Sequence, residues 1–166
     1  IIVEKAFMKK NLLKITSLDD MRKIFHRRVP KMFVDYCESG SWQQKTLEHN
    51  QKDFDKYFFR QKVLTDIQHR SLKTKILGQE YSMPLAFAPV GLLGMQHADG
   101  EIKSAQAAER FGVPFTLSTM SINSIEDVAN STTAPFWFQL YTMKDEDFIN
   151  RLIERARAAN CSALVI

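Results

Sequence analysis

Phe136-Trp137-Phe138-Gln139-Leu140 is followed by a polar amphipathic stretch over 144–160 and then by Ser162-Ala163-Leu164-Val165-Ile166. Each flanking run is short, apolar and rich in β-branched or aromatic side chains, as a buried strand requires. Between them Phe148, Ile149, Leu152, Ile153, Ala156 and Ala159 recur at helical spacing, and Arg151, Glu154, Arg155 and Arg157 fall mostly on the opposite face. Strand, amphipathic helix and strand in this order make a βαβ unit with parallel strands.

The same alternation begins at Pro84. Expected strands lie at 85–88, 115–117, 136–140 and 163–166, with helices at about 100–111, 124–130 and 144–160. Near-continuously apolar strands joined by helices imply a parallel sheet covered on both faces. Two α/β architectures fit, an open doubly wound sheet and part of an eight-stranded βα barrel, and the pattern alone does not separate them. No G-x-G-x-x-G follows the first strand, which weakens the dinucleotide-binding version. The chain opens at Ile1 without an initiator Met and closes on Ile166 inside an apolar run, so both ends look cut. A stop within the fourth strand favours a barrel interrupted halfway. Such a half barrel exposes sheet edges and an unfilled interior, and is expected to be unstable alone.

Residues 1–83 read as a helical segment and hairpin leading into the barrel, and 84–166 as its first half. Ser17-Leu18-Asp19-Asp20 is a capping start for a first helix, with Leu18, Met21, Ile24 and Phe25 at helical spacing. Pro30 fits the first turn of a second helix, for which Ser39-Gly40 is a stop. A third helical stretch covers 46–59. Residues 71–77 and 80–83 make a hairpin around Gly78-Gln79.

Composition bounds the function. At 45% hydrophobic and 25% charged residues the chain has the balance of a folded domain. The net charge of +4 is spread along it; the densest basic cluster, His26-Arg27-Arg28 with Lys31, reads as a solvated face, giving little support for nucleic acid as a partner. Two distant cysteines, Cys37 and Cys161, do not make a disulfide framework and fit a reducing compartment. No apolar run approaches the ~20 residues that span a bilayer, and peripheral membrane contact stays open. His26, His49 and His69 lack metal-ligand spacing, so no metal site is expected.

In a βα barrel the active site gathers at the carboxyl ends of the strands. Pro89-Val90-Gly91 follows the first strand, Ser118-Thr119 the second, and Gln139 and Tyr141 close the third. Proline and glycine let backbone approach a flat ligand, serine and glutamine bond the edge of a heterocycle, and a tyrosine hydroxyl holds a substrate oxygen. Taken singly these residues have ordinary readings: a cap at Ser118 and Thr119, loop satisfaction at Gln139, a rim aromatic at Tyr141. Their joint placement at one barrel end is what suggests a ring-binding floor. His97, where a helix begins, reads as a local hydrogen-bonding residue.

An ordered series of segments resembles the FMN-dependent α-hydroxy-acid oxidases and dehydrogenases almost end to end. It comprises Pro30-Lys31-Met32-Phe33-Val34-Asp35-Tyr36-Cys37-Glu38-Ser39-Gly40, Thr46-Leu47 with Asn50, Phe59-Arg60, Ser82-Met83-Pro84-Leu85-Ala86-Phe87-Ala88-Pro89-Val90-Gly91, Pro114-Phe115-Thr116-Leu117-Ser118-Thr119 and Trp137-Phe138-Gln139-Leu140-Tyr141. Within that family the runs 88–92 and 115–121 look most like the bacterial respiratory L-lactate dehydrogenases. The resemblance implies a TIM barrel preceded by a helical segment, with FMN as cofactor. It implies that Tyr36 bonds the substrate carboxylate, that Pro89, Val90 and Gly91 lie against the flavin, that Ser118 and Gln139 bond its pyrimidine edge, and that Tyr141 is the catalytic tyrosine holding the substrate hydroxyl. It also implies a histidine base, a carboxylate-binding arginine, a flavin-supporting lysine and phosphate-binding loops, all beyond Ile166; His97 is no substitute for that base.

The reaction so implied is oxidation of L-lactate to pyruvate, with electrons passing from FMN to a quinone. The setting implied is a homo-oligomer, cytoplasmic and peripheral on the inner face of a bacterial cell membrane. Met120 stands where glycolate oxidase carries a tryptophan, which favours lactate or a bulkier acid over glycolate. Two alternatives stand beside this reading: a mandelate, glycolate or long-chain hydroxy-acid enzyme on the same fold, and a non-catalytic βα-barrel binding protein.

Overall fold

A computed structural model describes residues 15–166; the first 14 residues of the expected N-terminal segment lie outside the described residues. The chain divides into two compact units, residues 1–58 and 59–166.

The first unit is helical. Helix α1 (Leu18–Arg28) starts where Ser17 accepts a hydrogen bond from the backbone N–H of Asp20, and it places Asp19 and Asp20 at its positive end and His26, Arg27 and Arg28 at its negative end. Helix α2 (Lys31–Glu38) follows Pro30 and ends before Ser39, as its sequence predicts. Glu38 accepts from Arg22 at 2.6 and 2.9 Å and lies 2.8 Å from His26 Nε2, which ties α1 to α2. The basic cluster at the end of α1 is thus a solvated face, partly neutralised within its own unit. Helix α3 (Lys45–Lys52) is shorter than the predicted 46–59, because the chain tightens into a 3₁₀ turn over Asp53–Lys56.

The second unit opens with an antiparallel hairpin, β1 (Thr74–Ile76) and β2 (Gln79–Tyr81). Its turn is Leu77-Gly78, one residue earlier than predicted. Both residues have positive φ, 50° and 82°, the mirror-image turn whose twist suits a two-residue hairpin, and Gly78 takes the second position without steric cost.

Parallel strands β3 (Thr116–Leu117), β4 (Trp137–Gln139) and β5 (Ala163–Val165) follow, paired in chain order. The strand predicted at 85–88 contributes one parallel bridge, Phe87 to Phe115, with the Phe87 N–H donating to Pro114 O at 2.8 Å. The segments therefore lie side by side in the sequence 1-2-3-4 with no reversal. A doubly wound sheet must reverse at its switch point, whereas a barrel winds one way, so this order selects the barrel architecture. The described residues form its opening arc and no closed barrel.

Helices on one side cover the arc. Between the bridge and β3 lie a short helix α4 (Leu93–Gln96) and α5 (Gly100–Phe111), whose end is set by Gly112 at φ 67°. Helix α6 (Ile125–Ser131) begins with a reciprocal capping box between Ser124 and Asp127. Helix α7 (Glu146–Ala158) begins where Asp145 accepts from the Phe148 N–H at 2.9 Å. Leu152 and Ala156 of α7 are buried, with Phe148, Ile149, Ile153 and Ala159 packed beside them, which is the predicted face. They close over Ala105, Ala108, Phe115, Leu117, Val128, Phe136 and Phe138, the core of the unit.

The sheet is covered less completely than its apolar strands predict. Leu85, Phe87, Leu164 and Ile166 are exposed. Within the described residues β5 pairs on one side only, which leaves its outer edge and its Leu164 surface open.

Candidate active site

The site is built where three strand ends meet. Ser118 follows β3, Gln139 ends β4, and both are buried, although each is polar. Buried polar side chains need partners, and these two supply each other: Ser118 Oγ donates to Gln139 Oε1 at 3.4 Å. The backbone N–H of Thr119 donates to the same oxygen at 3.3 Å. An amide N–H can only donate, so the acceptor end of the Gln139 amide is turned inward. Neither bond engages its Nε2, which carries two N–H donors. Ser118 Oγ meanwhile accepts from the Met120 N–H at 3.1 Å, and so is oriented from behind as well.

Thr119 joins the two strand ends directly. Its hydroxyl donates to the backbone carbonyl of Gln139 and accepts from the Tyr141 N–H at 3.2 Å. Tyr141 lies just past β4 and is 54% exposed, a rim position. The loop carrying Pro89, Val90 and Gly91 joins this group through one bond, the Leu92 N–H donating to Met120 O at 3.0 Å. Gly91 is buried, Val90 half-buried and Pro89 exposed. The structure thus brings together six of the seven residues predicted from the sequence. The seventh, Tyr36, lies on α2 in the first unit and is 48% exposed.

Two positions that sequence reading passed over support this group. Glu101, in the first turn of α5, is fully buried. Its Oε1 accepts from the Ile122 N–H at 2.9 Å and braces the loop after β3; its Oε2 has no partner among the described residues. Gly94 makes room for the brace, because a Cβ there would stand 2.6 Å from Ile122 Cβ and 3.1 Å from Glu101 Oε2. Thr119 was legible as a strand-end residue but not as the link between Gln139 and Tyr141. His97 is a local residue as predicted, its Nδ1 lying 2.8 Å from Ala98 O and 3.2 Å from Lys103 Nζ. Cys37 and Cys161 are not joined in a disulfide, and burial raises the Cys161 thiol to about 11.

This donor set fits a flavin. The pyrimidine edge of the isoalloxazine carries carbonyl oxygens and a ring N–H, which match the Gln139 Nε2 donor and the Ser118 hydroxyl.

Comparison with known proteins agrees. The FMN-dependent dehydrogenase family matches residues 25–166. L-Lactate dehydrogenase of Acinetobacter baumannii is 44% identical over 151 residues, covering 91% of this chain and 39% of its own length. Among solved structures, a soluble mutant of the membrane-associated (S)-mandelate dehydrogenase from Pseudomonas putida is 36% identical with a TM-score of 0.84, covering 90% of this chain and 43% of its own. A mandelate oxidase is 32% identical with a TM-score of 0.84, covering 91% and 44%. The chain spans about two fifths of the length of the relatives it matches. The family match over most of the chain, the sequence identities and the shared fold together show that the chain belongs to the FMN-dependent dehydrogenase family.

Proposed function

We propose that the intact protein oxidises a 2-hydroxy acid, L-lactate, to the 2-oxo acid, with electrons passing from FMN to a quinone. The observation that carries the proposal is the Ser118–Gln139–Thr119–Tyr141 cluster, a buried ring-edge donor set bonded to a tyrosine on the rim. Ser118 and Gln139 would hold FMN at its polar edge, with Pro89, Val90 and Gly91 behind it; when bound, FMN would supply the two-electron acceptor for the hydrogen on the substrate Cα, and the hydroxyl proton would leave to the histidine base that the family resemblance implies. The chain's own side chains bind and orient. In the proposal the Tyr36 hydroxyl donates to the substrate carboxylate. The Tyr141 hydroxyl donates to the substrate oxygen and stabilises it as it becomes a carbonyl, which counts most where water is excluded. Met120, a flexible apolar side chain half-exposed after β3, forms part of the pocket wall and admits a methyl or larger substituent.

Lactate is favoured over mandelate by the 44% identity to lactate dehydrogenases, against 36% to the mandelate enzyme. A peripheral position on the inner face of a bacterial membrane is part of the same proposal; among the described residues no helix is long and apolar enough to cross a membrane. A homo-oligomer is likewise proposed from the family resemblance.

The test is an anaerobic visible spectrum of the FMN-loaded intact protein before and after L-lactate. Bleaching of the flavin band by L-lactate supports the proposal, and reoxidation by a soluble quinone analogue supports the acceptor. Bleaching by (S)-mandelate alone moves the substrate. Failure to take up FMN removes the enzyme reading.

A further inference from the structure

We propose that Thr119 is a positioning residue that sets Tyr141 against the flavin-edge pair, with its side chain and backbone doing separate jobs. The inference rests on the oxidation reading above. The Thr119 backbone N–H donates to Gln139 Oε1 and turns that amide, a contact that any non-proline residue at 119 supplies. The Thr119 hydroxyl does what the backbone does not: it donates to the Gln139 carbonyl and accepts from the Tyr141 N–H, using both its capacities at once. Gln139 and Tyr141 are two residues apart on one segment, and the hydroxyl grips the backbone at both. It therefore fixes where the end of β4 leaves the sheet, and with it the root of the tyrosine.

The side chain suits the task. Serine preserves the hydroxyl but frees its rotation, whereas threonine's β-branch restricts χ1 and pre-orients the oxygen. Valine keeps that shape and removes the oxygen, leaving the Tyr141 N–H and one Gln139 acceptor site to water. Removing the hydroxyl should then shift Tyr141 while the ring-edge donors keep their places. Reactive geometry is sensitive to displacements of under about an ångström, so turnover should respond more than binding does.

The experiment compares Thr119→Val, Thr119→Ala and Thr119→Ser in the FMN-loaded intact protein, each alone and combined with Tyr141→Phe. FMN affinity is measured by quenching of flavin fluorescence, and kcat and KM with L-lactate. The expected result is a fall in kcat of roughly tenfold for Val and Ala with smaller change in KM. Ser should lie within about twofold of the parent, FMN affinity should hold within about twofold, and no further loss should appear once Tyr141 is Phe. Using both Val and Ala lets one decide if the other fails to fold. The proposal is overturned if kcat is unchanged in the folded variant, if the losses at 119 and 141 multiply independently, or if FMN affinity collapses, which would make the hydroxyl part of the flavin site. A protein that takes up no FMN, or whose turnover is indifferent to Tyr141→Phe alone, overturns the oxidation reading first and this inference with it.

Discussion

Tyr141 and Tyr36 have the same functional group, and the proposal gives them opposite signatures. A hydroxyl that donates to an oxygen gaining carbonyl character acts most strongly in the transition state, so Tyr141→Phe should lower kcat by roughly ten- to a hundredfold with little change in KM. One that donates to a carboxylate unchanged by the reaction binds ground and transition states alike, so Tyr36→Phe should chiefly raise KM. Steady-state kinetics on the two variants checks both; a raised KM at unchanged kcat for Tyr141→Phe would remove its role. Glu101 calls for a stability measurement. Alanine there leaves the Ile122 N–H unpaired beside a cavity, a loss of about 1–3 kcal/mol. Glutamine keeps an acceptor on that N–H, so thermal unfolding should show Glu101→Ala clearly below Glu101→Gln; equal losses would mean the bond contributes nothing. These residues also mark how far sequence reading reaches. Ser118, Gln139 and Tyr141 were legible as strand-end residues, because the βα repeat fixes where its strands end. Glu101 reads as a polar first-turn residue of an amphipathic helix, and tertiary packing, with Ile122 and Gly94 beside its carboxylate, makes it buried.

Elements divide in the same way. Helix α5 was predicted with its observed ends, and α6 and α7 within a few residues, because caps at Ser124 and Asp145 and the stop at Gly112 are written locally. The first barrel strand was less legible: its apolar run predicts a strand, yet one bridge at Phe87 is all the pairing that forms. Pairing depends on a neighbour, which apolar character alone does not supply. What joins α6 to α7 across the surface is a bidentate pair, Arg155 donating to Glu126 at 2.8 and 2.7 Å. The Arg155 guanidinium is the main cause holding the Glu126 carboxyl at about 2, down from 4.5. A folded value depressed in this way contributes stability that is fully present above about pH 4.5 and is lost as pH falls from there through about 2. Both side chains are nearly half exposed, so screening keeps the contribution under about 1 kcal/mol. Melting profiles of the parent and Glu126→Gln should therefore differ slightly at pH 7 and converge below pH 4.5. A gap that persists to pH 3 without narrowing would mean that charge pairing is not its source.

At the scale of the molecule, the second unit presents the physics of an open arc. Its helices bury one side of the sheet, while Leu85, Phe87, Leu164 and Ile166 are exposed and, among the described residues, β5 pairs on one side only. Exposed apolar side chains beside an unsatisfied strand edge are the combination that drives edge-to-edge association. Leu164 and Ile166 lie in and just after β5 itself, so the hydrogen-bonding edge and the apolar surface coincide. A polypeptide limited to residues 59–166 should accordingly retain helical circular dichroism from α5 and α7, enhance the fluorescence of an apolar-binding dye, and elute from size exclusion above its monomer mass. Charged substitutions at Leu164 and Ile166, Leu164→Lys with Ile166→Glu, should reduce both dye binding and association without loss of helix, because neither side chain belongs to the buried core. A monomeric, cooperatively melting polypeptide that does not bind the dye would show that the helix-covered core is sufficient by itself, and that closing the sheet adds function to this fold more than stability.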